Sequence, residues 1–156
     1  MKFIVLIIII ALAIFLFTRH SSNKKLATEN ELIAHTFLLE NRANEEIIET
    51  ASGLQYQVLQ KGQGNQFPNA NSTVKVHYHG TLIDGTVFDS SVDRGEPISF
   101  PLNQVIKGWT EGVQLMVVGD KFRFFIPSDL AYGDRATGKI SAGALLIFDV
   151  ELLAIK

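Results

Sequence analysis

His77 and His79 lie two residues apart in an alternating stretch, a spacing that puts both imidazoles on one face of a strand and could begin a metal site. No third ligand of suitable type clusters beside them, so two imidazoles on the wet face of a sheet is the better reading. Ser90 and Ser91 follow Asp89, which suggests a hydrolase nucleophile. Nothing resembles a Gly-x-Ser-x-Gly elbow, however, and Asp and Ser in a loop commonly bond to nearby backbone. Gly62-x-Gly64 has no helix after it, which argues against phosphate binding. What remains is aromatic. Trp109 is the single tryptophan, set in VIKGWTEGV between Gly108 and Gly112, which leave space beside it for another surface. Tyr78, Phe88, Phe100, Tyr132 and Phe148 add more aromatic surface than a core of this size requires. Taken alone, a tryptophan on an apolar helix face and aromatics of this kind most often pack a core, and for Phe148 part of that reading is expected.

Several elements must position these side chains. Leu54, Tyr56 and Val58 alternate with Gln55 and Gln57, the period of a half-buried strand. Residues 73–81 alternate again, with Val74, Val76 and Tyr78 on one face and Lys75, His77 and His79 on the other. Asp84-Gly85 between Leu82 and Val87 is a strong hairpin signal. Val105, Ile106, Trp109, Val113 and Met116 predict a helix of about three turns. Further strands are expected at Phe122, Phe124 and Ile126 and over residues 144–153. The fold class is α+β: a curled antiparallel sheet of about five strands around one short helix.

At 156 residues the chain has room for one ordinary domain and an appendage. The net charge of −2 and scattered Lys and Arg argue against nucleic acid as a partner. With no Cys there is no disulfide framework, thiol chemistry or lipid-anchor cysteine.

Residues 3–17, FIVLIIIIALAIFLF, are an unbroken apolar run. Fifteen helical residues span roughly 22 Å against a bilayer core of roughly 30 Å, and flanking residues with snorkelling Lys2 and Arg19 could close the gap. The sole Ala-x-Ala near the N-terminus, Ala11-Leu12-Ala13, lies inside the run. An uncleaved signal-anchor over residues 1–18 is therefore expected in preference to a cleaved signal peptide. Lys2 on one flank faces Arg19, Lys24 and Lys25 on the other, so charge does not set the orientation. Residues 19–53 form a linker. Within it, Thr28 and Glu31 make a capping-box pattern for a short helix over about residues 29–43, a solvated spacer packing on the domain only at its end. That helix is too short for a long dimerising arm.

Five segments occur together in order: VHYHG, DGTVFDSS, VIKGWTEGVQLM, IPSDLAYG and LIFDVELL. In this order and spacing the chain resembles the FK506-binding-protein (FKBP) type of peptidyl-prolyl cis-trans isomerase over residues 54–153. The resemblance implies an isomerase domain over residues 54–156 that needs no cofactor or metal. Its catalytic residues would be Asp89, Tyr132, Trp109 and Phe88, with substrate bound by Tyr78, Arg94, Ile98, Phe100, Val105, Ile106, Ile140 and Phe148. Trp109 would floor the proline pocket, while the Ile106 N–H and the Tyr132 hydroxyl hold substrate carbonyls. Arg94, five residues after Asp89, would hold its carboxylate. Folding proteins with Xaa-Pro bonds, and macrolides such as FK506 or rapamycin, are the implied partners. Resemblance to bacterial secreted and membrane-bound isomerases implies single-pass anchoring in the inner membrane with a periplasmic domain. Where the family commonly has Ile-Pro-Pro, this chain has Ile140-Ser141-Ala142, and losing both prolines is expected to loosen the flap over the substrate. A peptide-binding chaperone module with weak or no turnover is the alternative reading.

Overall fold

The computed structural model describes the backbone of residues 2–156 and the side chains of residues 8–10 and 12–156. It opens on one continuous helix, α1 (Lys2–Asn41). There follow β1 (Ile47–Glu49), β2 (Gln55–Gln60), β3 (Thr73–Thr81), β4 (Val87–Ser90), α2 (Ser91–Arg94), β5 (Ile98–Pro101), α3 (Lys107–Val113), β6 (Lys121–Ile126) and β7 (Leu146–Ile155). The strands form one seven-stranded sheet in the order β1-β2-β6-β7-β3-β4, with β5 also paired to β3. Every pairing is antiparallel. The α+β expectation holds, with β1 and β5 added to the anticipated strands. Register shifts at Val58/Gln60, Lys75/Val76 and Gly80/Thr81 break the ladders. Such bulges bend strands and increase twist, which lets the sheet curl.

The core forms where alternation predicts it. Val74, Val76 and Tyr78 of β3 are buried, as are Phe122 and Phe124 of β6 and Phe148, Val150 and Leu152 of β7. Burying each aromatic or large aliphatic side chain contributes about 1.5–3 kcal/mol. The two glycines of α3 bring that helix against the sheet. A Cβ on Gly108 would lie 2.5 Å from Ile126 Cγ2, and one on Gly112 2.6 Å from Phe124 Cε1. The space beside Trp109 is thus filled by β6, at a helix–sheet distance that larger residues would not permit.

Several expectations for the N-terminal region are corrected. Among the described residues, no helix is long and apolar enough to cross a membrane. Beyond Phe17 the same helix carries Thr18, Arg19 and His20 and then the polar stretch with Lys24 and Lys25. The transmembrane helix, and the inner-membrane placement that rested on it, do not stand. Met1 and the side chains of residues 2–7 and 11, where that anchor would begin, lie outside the described residues.

The separate linker helix is also absent, because α1 runs straight through the polar stretch 19–25. No Gly or Pro occurs between residues 2 and 41, so nothing in the backbone stops helix propagation there. Thr28 consequently sits mid-helix, its hydroxyl donating to the Lys24 carbonyl at 3.1 Å instead of capping. Nor is the C-terminal half of α1 a spacer that packs only at its end. Ala27 and Ala34 are buried, and Phe37 lies 5.8 Å from Phe125, ring centre to ring centre. The wholly buried Gln55 amide donates to the Leu38 carbonyl at 2.9 Å and accepts from Asn41 Nδ2 at 2.9 Å. At 40 residues, α1 also removes the argument from shortness against a long arm.

Candidate active site

The β3–β4 hairpin carries one wall of the site. Leu82 N donates to the Thr86 carbonyl at 2.9 Å, and Gly85 takes a φ of 84°, which the turn requires and glycine permits. This closure sets Asp89 opposite Gly80 and close to Tyr78. Ser90 then caps α2 by accepting from Asp93 N, and Gly95 ends the helix at a φ of 69°. The single turn of α2 folds Arg94 back onto Asp89.

The result is a three-way polar cluster. Tyr78 Oη donates to Asp89 Oδ2 at 2.5 Å, Arg94 Nη1 to Asp89 Oδ1 at 2.5 Å, and Arg94 Nη2 to Tyr78 Oη at 3.1 Å. Burial alone would raise the Asp89 carboxyl, but the Tyr78 hydroxyl and the Arg94 guanidinium outweigh it and hold its pKa below the usual value. Burial, with the hydrogen bond to Asp89, pushes the Tyr78 phenol up. Because the folded-state pKa of Asp89 is depressed, its stabilising contribution is present above the unfolded pKa and is lost as pH falls through the folded value. The difference in Tm between the wild type and Asp89→Asn is therefore expected to be constant from about pH 5 to pH 8, above the ordinary Asp range. It should shrink on further acidification. A difference that grew towards acid pH would contradict the assignment.

Beside this cluster opens a cavity of about 430 Å³. Trp109 forms its floor, with Tyr78, Phe100 and Phe148 set edge-on around the indole at ring-centre distances of 5.2, 5.8 and 5.2 Å. T-shaped packing of this kind suits the charge distribution of aromatic rings and locks the walls. Trp109 is only 4 % exposed, yet it lines a cavity open to solvent. Among the described residues, its Nε1 is the buried side-chain polar atom without a hydrogen-bond partner. Val105 and Ile106, in the approach to α3, and Tyr132, after β6, complete the rim with Asp89. Thr110 Oγ1 donates to the Leu102 carbonyl at 2.6 Å and so pins α3 to that approach.

Eight of the twelve site residues expected from sequence line this cavity: Tyr78, Asp89, Phe100, Val105, Ile106, Trp109, Tyr132 and Phe148. The other four are not among its lining residues. Phe88 packs edge-on against Phe148 at 5.2 Å. Both rings close over Gly80, where a Cβ would come within 2.8 Å of each. Arg94 reaches the site through Asp89 and Tyr78. Ile98 pairs with Val76 across β5 and β3 and packs on the core. Ile140 is buried in the loop after Tyr132 and belongs to the core cluster. Gln104 and Ala131 also line the cavity. Neither has a periodic or chemical signal in the sequence; each enters as the chain neighbour of an expected residue. His77 and His79 bond instead to Ser91 Oγ and Ser90 Oγ, at 2.7 and 2.8 Å.

The loop expected to be loosened by the missing prolines is tied at several points. Thr137 and Ile140 exchange backbone hydrogen bonds at 2.8 and 2.9 Å. Gly143 N donates to the Gly133 carbonyl at 2.8 Å, and Lys139 Nζ to the Val87 carbonyl at 3.1 Å. Hydrogen bonds here stand where ring constraint would otherwise act.

An antiparallel sheet curled against a short helix, with a solvent-open aromatic cavity beside Asp89, is the architecture of this site. Residues 64–153 match the family model of the FKBP-type peptidyl-prolyl cis-trans isomerases, and residues 11–58 match that of the domain amino terminal to them. The chain belongs to the FKBP-type peptidyl-prolyl cis-trans isomerase family. It is 62% identical over 130 residues to an FKBP-type isomerase, FkpA, of Aeromonas hydrophila, covering 83% of this chain and 48% of that protein. It is 52% identical over 120 residues to the FKBP-type 22 kDa isomerase of Escherichia coli, covering 76% of this chain and 58% of the relative. The chain thus spans about half the length of these curated relatives. The crystal structure of FkpA from Escherichia coli superposes with a TM-score of 0.84 at 38% identity, covering 94% of this chain and 71% of that one.

Proposed function

We propose that this chain is a peptidyl-prolyl cis-trans isomerase acting on Xaa-Pro bonds of folding proteins, with residues 54–156 as its isomerase domain. The observation that carries the reading is the solvent-open aromatic cavity floored by Trp109. Rotation about the Xaa-Pro bond breaks amide resonance, against a barrier of about 18–20 kcal/mol. Uncatalysed, the step takes tens of seconds or longer and can limit folding. A twisted amide has lost conjugation between carbonyl and nitrogen, so its oxygen carries less charge and depends less on water. An apolar cup therefore favours the twisted form over the planar one, which is differential binding of the transition state.

In this reading Trp109, Phe100 and Phe148 grip the prolyl ring, with Phe88 buttressing Phe148 from behind. Val105, Ile98 and Ile140 supply apolar surface or support around it. The Tyr132 hydroxyl and the Ile106 N–H hold the flanking substrate carbonyls. Asp89, kept ionised by Arg94 and Tyr78, orients the acyl side electrostatically. No bond to the enzyme forms at any point. Macrolides such as FK506 are expected to fill the same cup.

A protease-coupled assay on Xaa-Leu-Pro-Phe peptides tests the assignment. Acceleration that FK506 abolishes is the expected result, and tight peptide binding with no acceleration would overturn it. In the same assay Asp89→Ala is expected to lower kcat/KM roughly tenfold, the scale of one hydrogen bond to a charged group. An unchanged rate would remove Asp89 from the mechanism and leave the fold untouched.

A further inference from the structure

We propose that α1 braces the loop over residues 133–143, and that Asn30 is thereby a positioning residue for Tyr132; the catalytic part of this rests on the isomerase reading. Asn30 Nδ2 donates to the Ala142 carbonyl at 2.7 Å across 112 residues of sequence. Beside that bond the two backbones meet directly. Gly143 has a φ of 74°, and a Cβ built there would lie 2.3 Å from the Ala27 carbonyl oxygen and 2.8 Å from Ala27 Cα. Only glycine at position 143 permits this approach to the Ala27 backbone, and Ala27 and Ala142 are both buried.

The contact lies one hydrogen bond from the site. Gly143 N donates to the Gly133 carbonyl at 2.8 Å, closing the loop at its base. Gly133 directly follows Tyr132, and its own N–H donates to the Ser128 carbonyl at 2.7 Å. The helix thus holds Ala142, Ala142 adjoins Gly143, and Gly143 fixes the backbone from which the Tyr132 side chain enters the cup. To the loop's own backbone hydrogen bonds and the tie from Lys139 to Val87, α1 adds a support from outside through Asn30.

Asn30→Asp is nearly isosteric but places an acceptor against the Ala142 carbonyl. Loss of the brace should speed amide exchange of Gly143 at least about tenfold while core amides such as Val150 exchange as in the wild type. It should also lower kcat/KM about three- to tenfold, the worth of one misplaced hydrogen bond, with no further loss in a Tyr132→Phe background. Asn30→Ala, which removes the donor without adding charge, should give the same pattern. Unchanged exchange at Gly143 in both variants would overturn the brace. An equal loss of activity with and without the Tyr132 hydroxyl would overturn its route through Tyr132. If the wild type itself does not accelerate isomerisation, the isomerase reading fails, and exchange at Gly143 still decides whether α1 holds the loop.

Discussion

Trp109→Ala is expected to destabilise the protein by about 3–5 kcal/mol, the range for deleting a large buried aromatic side chain. The indole contacts Tyr78, Phe100 and Phe148 edge-on at 5.2–5.8 Å, so its removal leaves three walls without a common support. Those rings then lose the arrangement that defines the cup. The expected loss in kcat/KM is roughly 10²-fold, the scale associated with misplacing a bound group by about 1 Å. Trp109 is the only tryptophan, so the variant must be followed by circular dichroism in a urea titration, with activity measured well below the midpoint. Trp109→Phe, which keeps an apolar ring, should retain more of both quantities. A Trp109→Ala protein with wild-type midpoint and wild-type turnover would show that the indole is a bystander.

Asp120→Ala is the second large effect, and it lies outside the cup. Asp120 is 2 % exposed, and its carboxylate accepts from Gly62 N at 2.7 Å and from Val117 N at 2.8 Å. It clasps the loop after β2 to the turn before β6. The fit is tight: a Cβ on Gly62 would lie 2.4 Å from the Val118 carbonyl oxygen. Alanine would orphan both amides, each at a cost of about 1–3 kcal/mol, so a loss of about 3 kcal/mol is expected. That is a large part of the roughly 5–15 kcal/mol that holds a typical domain folded. Since Asp120 does not line the cavity, KM should not change under conditions where the variant stays folded. A wild-type denaturation midpoint would show that water replaces the carboxylate without penalty.

The parts of this molecule legible in its sequence are those where a local rule and the global fold agree. β3 alternates, and its burial alternates with it. Asp84-Gly85 marks a hairpin, and the hairpin is there. Trp109 stands at the centre of the aromatic cluster because it is placed on the sheet-facing side of a helix with two glycines. The helix is seven residues long, shorter than the apolar spacing suggested, since Val105 and Ile106 remain in the extended approach.

Elsewhere local rules misled. Charge and polarity in residues 19–25 look like a linker, but Ser, Asn and Lys are tolerated in helices and no residue there is a breaker. Thr28 and Glu31 match a capping box in a place where the preceding residues were already helical. β5 ends at Pro101, and a proline in a short run is a poor strand signal except at an edge. Gln104 and Ala131 enter the cavity through the curl of the sheet, which no short window of sequence encodes. Nor does any such window relate Asn30 to Ala142.

The seating of α1 fixes its azimuth as well as its position. Ala27, Asn30, Ala34, Phe37 and Asn41 recur at intervals of three or four, so one narrow stripe of the helix faces the sheet domain. Upstream of Ala27 the same helix continues, and each described side chain on it, over residues 8–10 and 12–26, holds a set compass bearing relative to the cup. One residue inserted between positions 18 and 26 would swing everything before it by about 100° while lengthening the rod by only about 1.5 Å. For whatever the upstream half carries, bearing is therefore far more sensitive to insertions and deletions than reach.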